Sequence, residues 1–280
     1  MPIVNLHMLE TAYAQITMPK TFRSKDSFCY HIVTDTVPLS TMGQILTLEL
    51  ESRTAAIREL LGNAVREHRR VVYANSLGAE AMVLTDIICT EVPEIDIISI
   101  DTGRLHEETY ELLEKLQRRY DNRIRVIYPD GAQLTQLVAR QGINGFFHSP
   151  NARVACCQVR KVIPFQQLVA GYAAWVTGVR REQSRARSLG TAVEWDTHHG
   201  LYKISPLLDW SEEQVWSYIR TRKLPYNLLH DRHYPSIGCA PCTRAVLPGE
   251  DLRAGRWWWE HPESRECGLH PRARPSLAGA

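Results

Sequence analysis

The sequence predicts an α/β fold: a parallel sheet with helices on both faces, followed by an irregular C-terminal segment rich in cysteine and arginine. Three observations carry this expectation. Short apolar runs alternate with helical patterns from residue 52 to residue 177, the signature of βα units whose crossovers leave the strands parallel. The connections between these runs are short. From Leu224 onward periodicity gives way to Pro, Gly, Cys, Arg and Trp.

The elements follow in order. Residues 1–48 lack a clear period and form a poorly specified N-terminal extension; Met42 is an alternative start within it. Over 52–69, Ala55, Ala56, Leu60, Leu61, Ala64 and Val65 recur at helical spacing. Residues 70–74 read as a buried strand, followed by a helix around 79–88. A second strand over 95–100 leads to a helix at about 105–120. A third strand over 123–128 leads to a helix at about 131–140, and 173–177 is a fourth strand. Residues 192–208 read as short strands or a hairpin. Ser211 and Gln214 form a capping box opening a helix to about Arg222. The organisation expected is therefore an extension (1–48), an α/β domain holding the chemistry (49–260), and a mobile tail (261–280).

Composition excludes several function classes. With 33 basic and 31 acidic residues the net charge is only +2, which argues against a nucleic-acid coat or a polybasic membrane anchor. No uncharged apolar stretch is long enough for a membrane span. The N-terminus has no basic region followed by an apolar core, so a cytoplasmic location is expected.

The cysteines say more. Seven are present, an odd number in a chain expected where disulfides are rare. Cys29 and Cys89 read as incidental. Cys156–Cys157 and Cys239-x-x-Cys242 supply four thiolates in two close pairs. Zinc and an iron–sulfur cluster both remain open on this spacing. Directly adjacent cysteines point in different directions, which favours a cluster whose irons each take one sulfur. Arg160, Lys161, Arg244, Arg253 and Arg256 lie beside these pairs, and Arg180, Arg181 and Arg187 follow the fourth strand. Guanidinium groups match phosphate and sulfate oxygens, so a small, densely anionic nucleotide is expected.

The first strand ends in Asn75-Ser76-Leu77-Gly78-Ala79-Glu80, where a serine, a glycine and a helix N-terminus suit an anion cradle. The second ends in Asp101-Thr102-Gly103-Arg104, a simple turn or a nucleotide edge. Cys267, in Glu266-Cys267-Gly268-Leu269-His270, is an incidental exposed cysteine or a near-terminal nucleophile. His230 and His233, His198–His199 and Trp257–Trp259 read as surface or packing groups.

Taken together, these motifs, with Thr177-Gly178-Val179-Arg180, Leu224-Pro225-Tyr226-Asn227 and Gly255-Arg256-Trp257-Trp258-Trp259-Glu260, resemble the assimilatory sulfonucleotide reductases, in particular the adenylyl sulfate (APS) reductases that carry a [4Fe–4S] cluster. The resemblance covers about residues 50–270. It implies an adenine-nucleotide α-hydrolase-like fold and thioredoxin-dependent reduction of APS to sulfite and AMP. It implies that Cys156, Cys157, Cys239 and Cys242 hold the cluster and that Cys267 is the catalytic nucleophile, passing through an S-sulfocysteine. Ser76, Leu77 and Gly78 would line the phosphate loop, and Ile100 and Gly178 would edge the adenosine. Lys161, Arg253 and Arg256 would grip the phosphosulfate, with Arg187 also touching the nucleotide. Reduced thioredoxin is the implied partner, with no nucleic acid and no membrane; oligomeric state, a homo-oligomer included, stays open. The rivals are a reductase for the 3′-phosphorylated nucleotide (PAPS) and a non-catalytic, zinc-ordered nucleotide-binding module. An iron–sulfur tRNA-thiolating enzyme would want a glycine-rich Ser-Gly-Gly loop and a basic surface, which the sequence lacks.

Overall fold

A computed structural model describes residues 39–183, 190–261 and Leu269. The chain divides into two units between Gly43 and Gln44, and the second holds the sheet and every helix that follows, apart from the first five residues of α1.

Helix α1 (Leu39–His68) precedes β1 (Val71–Asn75), α2 (Ala79–Glu91), β2 (Asp96–Ile100), α3 (Glu107–Arg119), β3 (Ile124–Ile127) and α4 (Gly131–Gln141). Then come α5 (Pro150–Cys157), α6 (Ile163–Val169), β4 (Ala174–Val176), the hairpin β5 (Val193–Asp196) and β6 (Leu201–Ile204), and α7 (Glu212–Thr221). The six strands are ordered β3-β2-β1-β4-β6-β5. Every pairing is parallel except that of β5 with β6. The hairpin expected over 192–208 is present, and its second strand also joins the sheet beside β4.

Strand alternation builds a core on each face. Val71 and Tyr73 pack with Ile57 and Leu61 of α1, with α2, and with Val215 and Tyr218 of α7. Val72, between them, turns to the other face and meets Ile98, Trp175, Phe165, Val169 and Leu269. The expectation of helices on both faces is met.

Two differences from the sequence reading stand out. Helix α1 begins at Leu39 rather than near 52; Thr41, Gly43 and Thr47 are poor helix formers that hide its first turns. The stretch between 141 and 172, left without elements, contains α5 and α6. Ser149 caps α5, its hydroxyl accepting from the Ala152 N–H, and Pro150 occupies the first turn. Between α5 and α6 the helix widens into a π-helical stretch over Gln158–Val162. Pro164 has no N–H for the Arg160 carbonyl, so the regular ladder fails there. The result sets Arg160 and Lys161 immediately after the cysteine pair.

Candidate active site

A cavity of about 250 Å³ opens at the carboxyl ends of β1, β2 and β4, where open α/β sheets place their ligands. Its wall includes Ser76, Leu77, Gly78, Ile100, Lys161, Gly178, Arg253 and Arg256, and also Cys156, Cys157, Cys239 and Cys242. Segments more than 160 residues apart in sequence thus share one site. Cys267 and Arg187 lie outside the described residues.

The loop after β1 is fixed from within. The Asn75 side chain accepts from the Leu77 N–H (2.8 Å) and donates to the Thr85 hydroxyl on α2 (2.8 Å). Leu77, not Gly78, takes the left-handed backbone, with φ 59°. Gly78 is extended and caps α2 without a side-chain bond. A Cβ there would stand 3.6 Å from Ser76 Oγ, so internal packing does not demand glycine. The missing side chain leaves the α2 N-terminus open to an anion. Gly178, after β4, is closely packed: a Cβ would come 3.1 Å from that of Glu80.

Several expected anion-gripping cations are already neutralised. Arg180 is buried and held by Glu80 and Glu182, each at 2.8 Å. Arg181 pairs with Asp209 at 2.7 Å, and Arg244 takes Glu250 through both terminal nitrogens. Arg160, Lys161 and Arg256 have no carboxylate partner among the described residues. Arg160 donates to the Thr102 carbonyl at 2.6 Å. Among the described residues Arg256 donates only to Ser236 Oγ (3.4 Å) and the Ile237 carbonyl (3.1 Å), and its buried Nε finds no partner. Its guanidinium rests 4.6 Å from the Trp257 ring centre and against Gly238, where a Cβ would approach Arg256 Cζ to 2.6 Å.

The cysteines arrive on two supports. Cys156 and Cys157 end α5. Cys239 opens the 3₁₀ turn Ala240–Cys242, tied to β2's loop by the Ala240 N–H to the Arg104 carbonyl (2.8 Å) and to Trp257, whose N–H donates to the Cys242 carbonyl (3.1 Å). The Thr102 hydroxyl is 3.2 Å from Cys239 Sγ. Leu137, Phe146 and Trp257 form an apolar floor around Cys156 and Cys242. The thiols are not joined as disulfides. Burial pushes the Cys156 and Cys242 thiols up, against the pull of nearby Arg160 on the former and Arg256 on the latter. A cationic group is what converts such thiols to thiolates. Among the described residues no three His, Cys, Asp or Glu side chains converge on a position for a single metal ion. The fit to a metal group lies in the all-sulfur donor set, which suits zinc or iron–sulfur chemistry.

The Asp101-Thr102-Gly103 segment is a turn: Asp101 Oδ1 accepts from the Gly103 N–H (2.7 Å) and the Tyr110 hydroxyl (2.9 Å). His230 packs edge-on against Trp216, and His199 against Phe165 and Trp175. His199 also places Nε2 3.4 Å from the Leu269 carbonyl. Sequence reasoning missed Gly238 and the buried pair of Arg153 with Glu260. Arg153, one helical turn before Cys157, had a detectable signal in that spacing.

The model for the phosphoadenosine phosphosulfate reductase domain matches residues 70–245. The chain belongs to this reductase family. Among curated relatives, the adenosine 5′-phosphosulfate reductase of Allochromatium vinosum is 54% identical, over 80% of this chain and 87% of its own. The protein of that name from Burkholderia cepacia is 45% identical, over 80% of this chain and 90% of its own. Among solved structures, phosphoadenylyl-sulfate reductase from Candida auris, in a phosphate complex, superposes with a TM-score of 0.59 at 26% identity, covering 75% of this chain and 98% of that one. FMN adenylyltransferase from Candida glabrata superposes at 0.51 with 14% identity, covering 81% and 80%, which shows the shared fold alone. The adenine-nucleotide α-hydrolase-like fold expected for the reductase family is thus present. Among the described residues no helix is long and apolar enough to cross a membrane.

Proposed function

We propose that this protein is a cytoplasmic, thioredoxin-dependent adenylyl sulfate reductase of sulfate assimilation. The observation that carries the reading is a single cavity walled by the Ser76–Gly78 loop, the uncompensated Lys161 and Arg256, and all four paired cysteines. The names of the curated relatives support the substrate.

The nucleotide phosphosulfate lies against the α2 N-terminus, with Lys161, Arg253 and Arg256 on its oxygens. Ile100 and Gly178 edge the adenosine, and Arg187 completes the contacts. The Cys267 thiolate attacks the sulfate sulfur, forming an S–S bond as the S–O bond to the phosphate breaks. AMP leaves with the bonding pair, its developing charge stabilised by the cations. A thioredoxin thiolate then attacks Cys267 sulfur, and sulfite leaves with the electron pair of the S–S bond. The second thioredoxin thiol resolves the mixed disulfide, so thioredoxin is oxidised and the sulfate sulfur reduced. Leu269, two residues beyond the proposed nucleophile, is buried and lines this cavity, which supports delivery of Cys267 by the tail (261–280). Cys156, Cys157, Cys239 and Cys242 would hold the [4Fe–4S] cluster. When bound, the cluster supplies a fixed charge distribution beside the anion and ties the two cysteine segments together.

The test uses anaerobically purified protein given adenylyl sulfate without reductant. One equivalent of AMP and a sulfo-adduct on Cys267, located by peptide mass spectrometry and discharged as sulfite by reduced thioredoxin, are expected. Cys267→Ser should bind nucleotide but not turn over. An adduct elsewhere, or substantial turnover by the serine variant, overturns the nucleophile. Preference for the 3′-phosphorylated nucleotide overturns the substrate, and zinc in place of iron and sulfide overturns the cluster.

A further inference from the structure

Arg153 is 3% exposed, and its partner Glu260 is 6% exposed. The guanidinium meets the carboxylate in a fork, Nε to Oε1 and a terminal nitrogen to Oε2, both at 2.9 Å. It lies 4.7 Å from the centre of the Trp257 ring. It is also hydrogen-bonded to Cys157. One side chain of α5 therefore touches the first cysteine pair and the segment that follows the second.

Trp257 is the common element. Its backbone is left-handed, φ 45°, a costly conformation that persists only when its surroundings enforce it. The Trp257 N–H holds the Cys242 carbonyl, and its own carbonyl accepts from the Glu260 N–H at 2.8 Å. The same indole supports Arg256, which lines the cavity with two hydrogen bonds to neutral acceptors and, among the described residues, no carboxylate. The direction of Arg256 is thus set by the surface it rests on.

We infer that Arg153 is a positioning residue: held by Glu260, it packs on the Trp257 indole and so fixes the surface that aims Arg256 into the cavity. This rests on the reading of the cavity as the adenylyl sulfate site. Lysine at 153 keeps the charge but loses the fork and the planar face that stacks on indole.

The test is a double-mutant cycle on nucleotide affinity, by calorimetry with adenylyl sulfate on cluster-loaded protein. Arg153→Lys should weaken binding roughly 30-fold, the scale of one desolvated cation–π contact. In an Arg256→Ala background the same change should have an effect of less than about twofold, because the group it positions is gone. An equal loss in both backgrounds would show that Arg153 serves the scaffold alone and overturns the inference, as would wild-type affinity of Arg153→Lys. Should that variant fail to fold, Glu260→Gln enters the same cycle with the same expectations. Wild-type binding of adenylyl sulfate is the control for the functional reading: its absence overturns both, whereas normal binding with additive losses overturns the role of Arg153 alone.

Discussion

Replacing Gly238 by alanine separates the anion site from the fold. Its Cβ would fall within 2.6 Å of Arg256 Cζ, closer than non-bonded atoms allow. What must yield is the end of a flexible side chain, so the guanidinium swings away and the backbone stays. The guanidinium gives up two hydrogen bonds, at 3.1 and 3.4 Å, and its seat on Trp257, worth about 0.5–2 kcal/mol. Much of this is regained in water, so Tm should fall by only about 2–4 °C for a net loss near 1 kcal/mol. Binding suffers more. A hydrogen bond to a charged group contributes about 1.5–3 kcal/mol, so affinity for adenylyl sulfate should drop roughly 10- to 150-fold. Calorimetric titration beside a thermal melt reads both quantities. Wild-type affinity in the folded variant would show that Arg256 does not hold the anion from this position. A collapse in Tm with no further loss of affinity would show that Gly238 serves packing only.

Two further predictions follow from the site and the core. Alanine at any one of Cys156, Cys157, Cys239 or Cys242 should lower bound iron and the visible charge-transfer absorbance together, since four-sulfur ligation leaves no spare donor; wild-type iron content would remove that residue from the ligand set. Burial lowers the pKa of His199 and His230 below the ordinary 6.5, so below that value the unfolded chain binds more protons and stability is lost as pH falls toward the folded values. Melting should therefore come earlier at about pH 5.5 than at about pH 7.5, and His230→Gln should narrow the difference; a melt unchanged across that range would refute it.

The sheet was legible because β1, β2 and β4 are short apolar runs with turns at both ends, and periodicity reports such segments well. Burial on both faces is what makes Val71, Val72 and Tyr73 consecutive apolar residues. The helix carrying Cys156 and Cys157 was hidden because Val154, Val159 and Val162 lie across a π-helical stretch that breaks the 3.6 period. Ser149-Pro150 was the readable signal, a cap followed by proline in the first turn. The proposed ligand and anion groups were legible as residue types, and the cavity brings most of them together. The pairings were not legible. Arg180 finds Glu80 across a sequence separation of 100, and Arg153 finds Glu260 across 107. Nothing local distinguishes an arginine that will be neutralised from one that will face a ligand.

That distinction explains how a chain with a net charge of only +2 can present a strongly cationic site. Overall charge says little when several guanidinium groups in and around the cavity already have carboxylates while others do not. Arg180 in the cavity wall and Arg181 and Arg244 outside it are ion-paired, and Arg153 braces Trp257. Among the described residues Arg104, Arg160, Lys161 and Arg256 have no carboxylate partner, and all four line the same cavity as the open N-terminus of α2. Fixed positive ends in a partly desolvated pocket act on an anion far more strongly than the same charges spread over a wetted surface. In the proposed reaction they would require little reorganisation as charge develops on the leaving phosphate. Selectivity for a compact, densely charged nucleotide over a long polyanion then follows from placement: the uncompensated charge is concentrated where one phosphosulfate would fit.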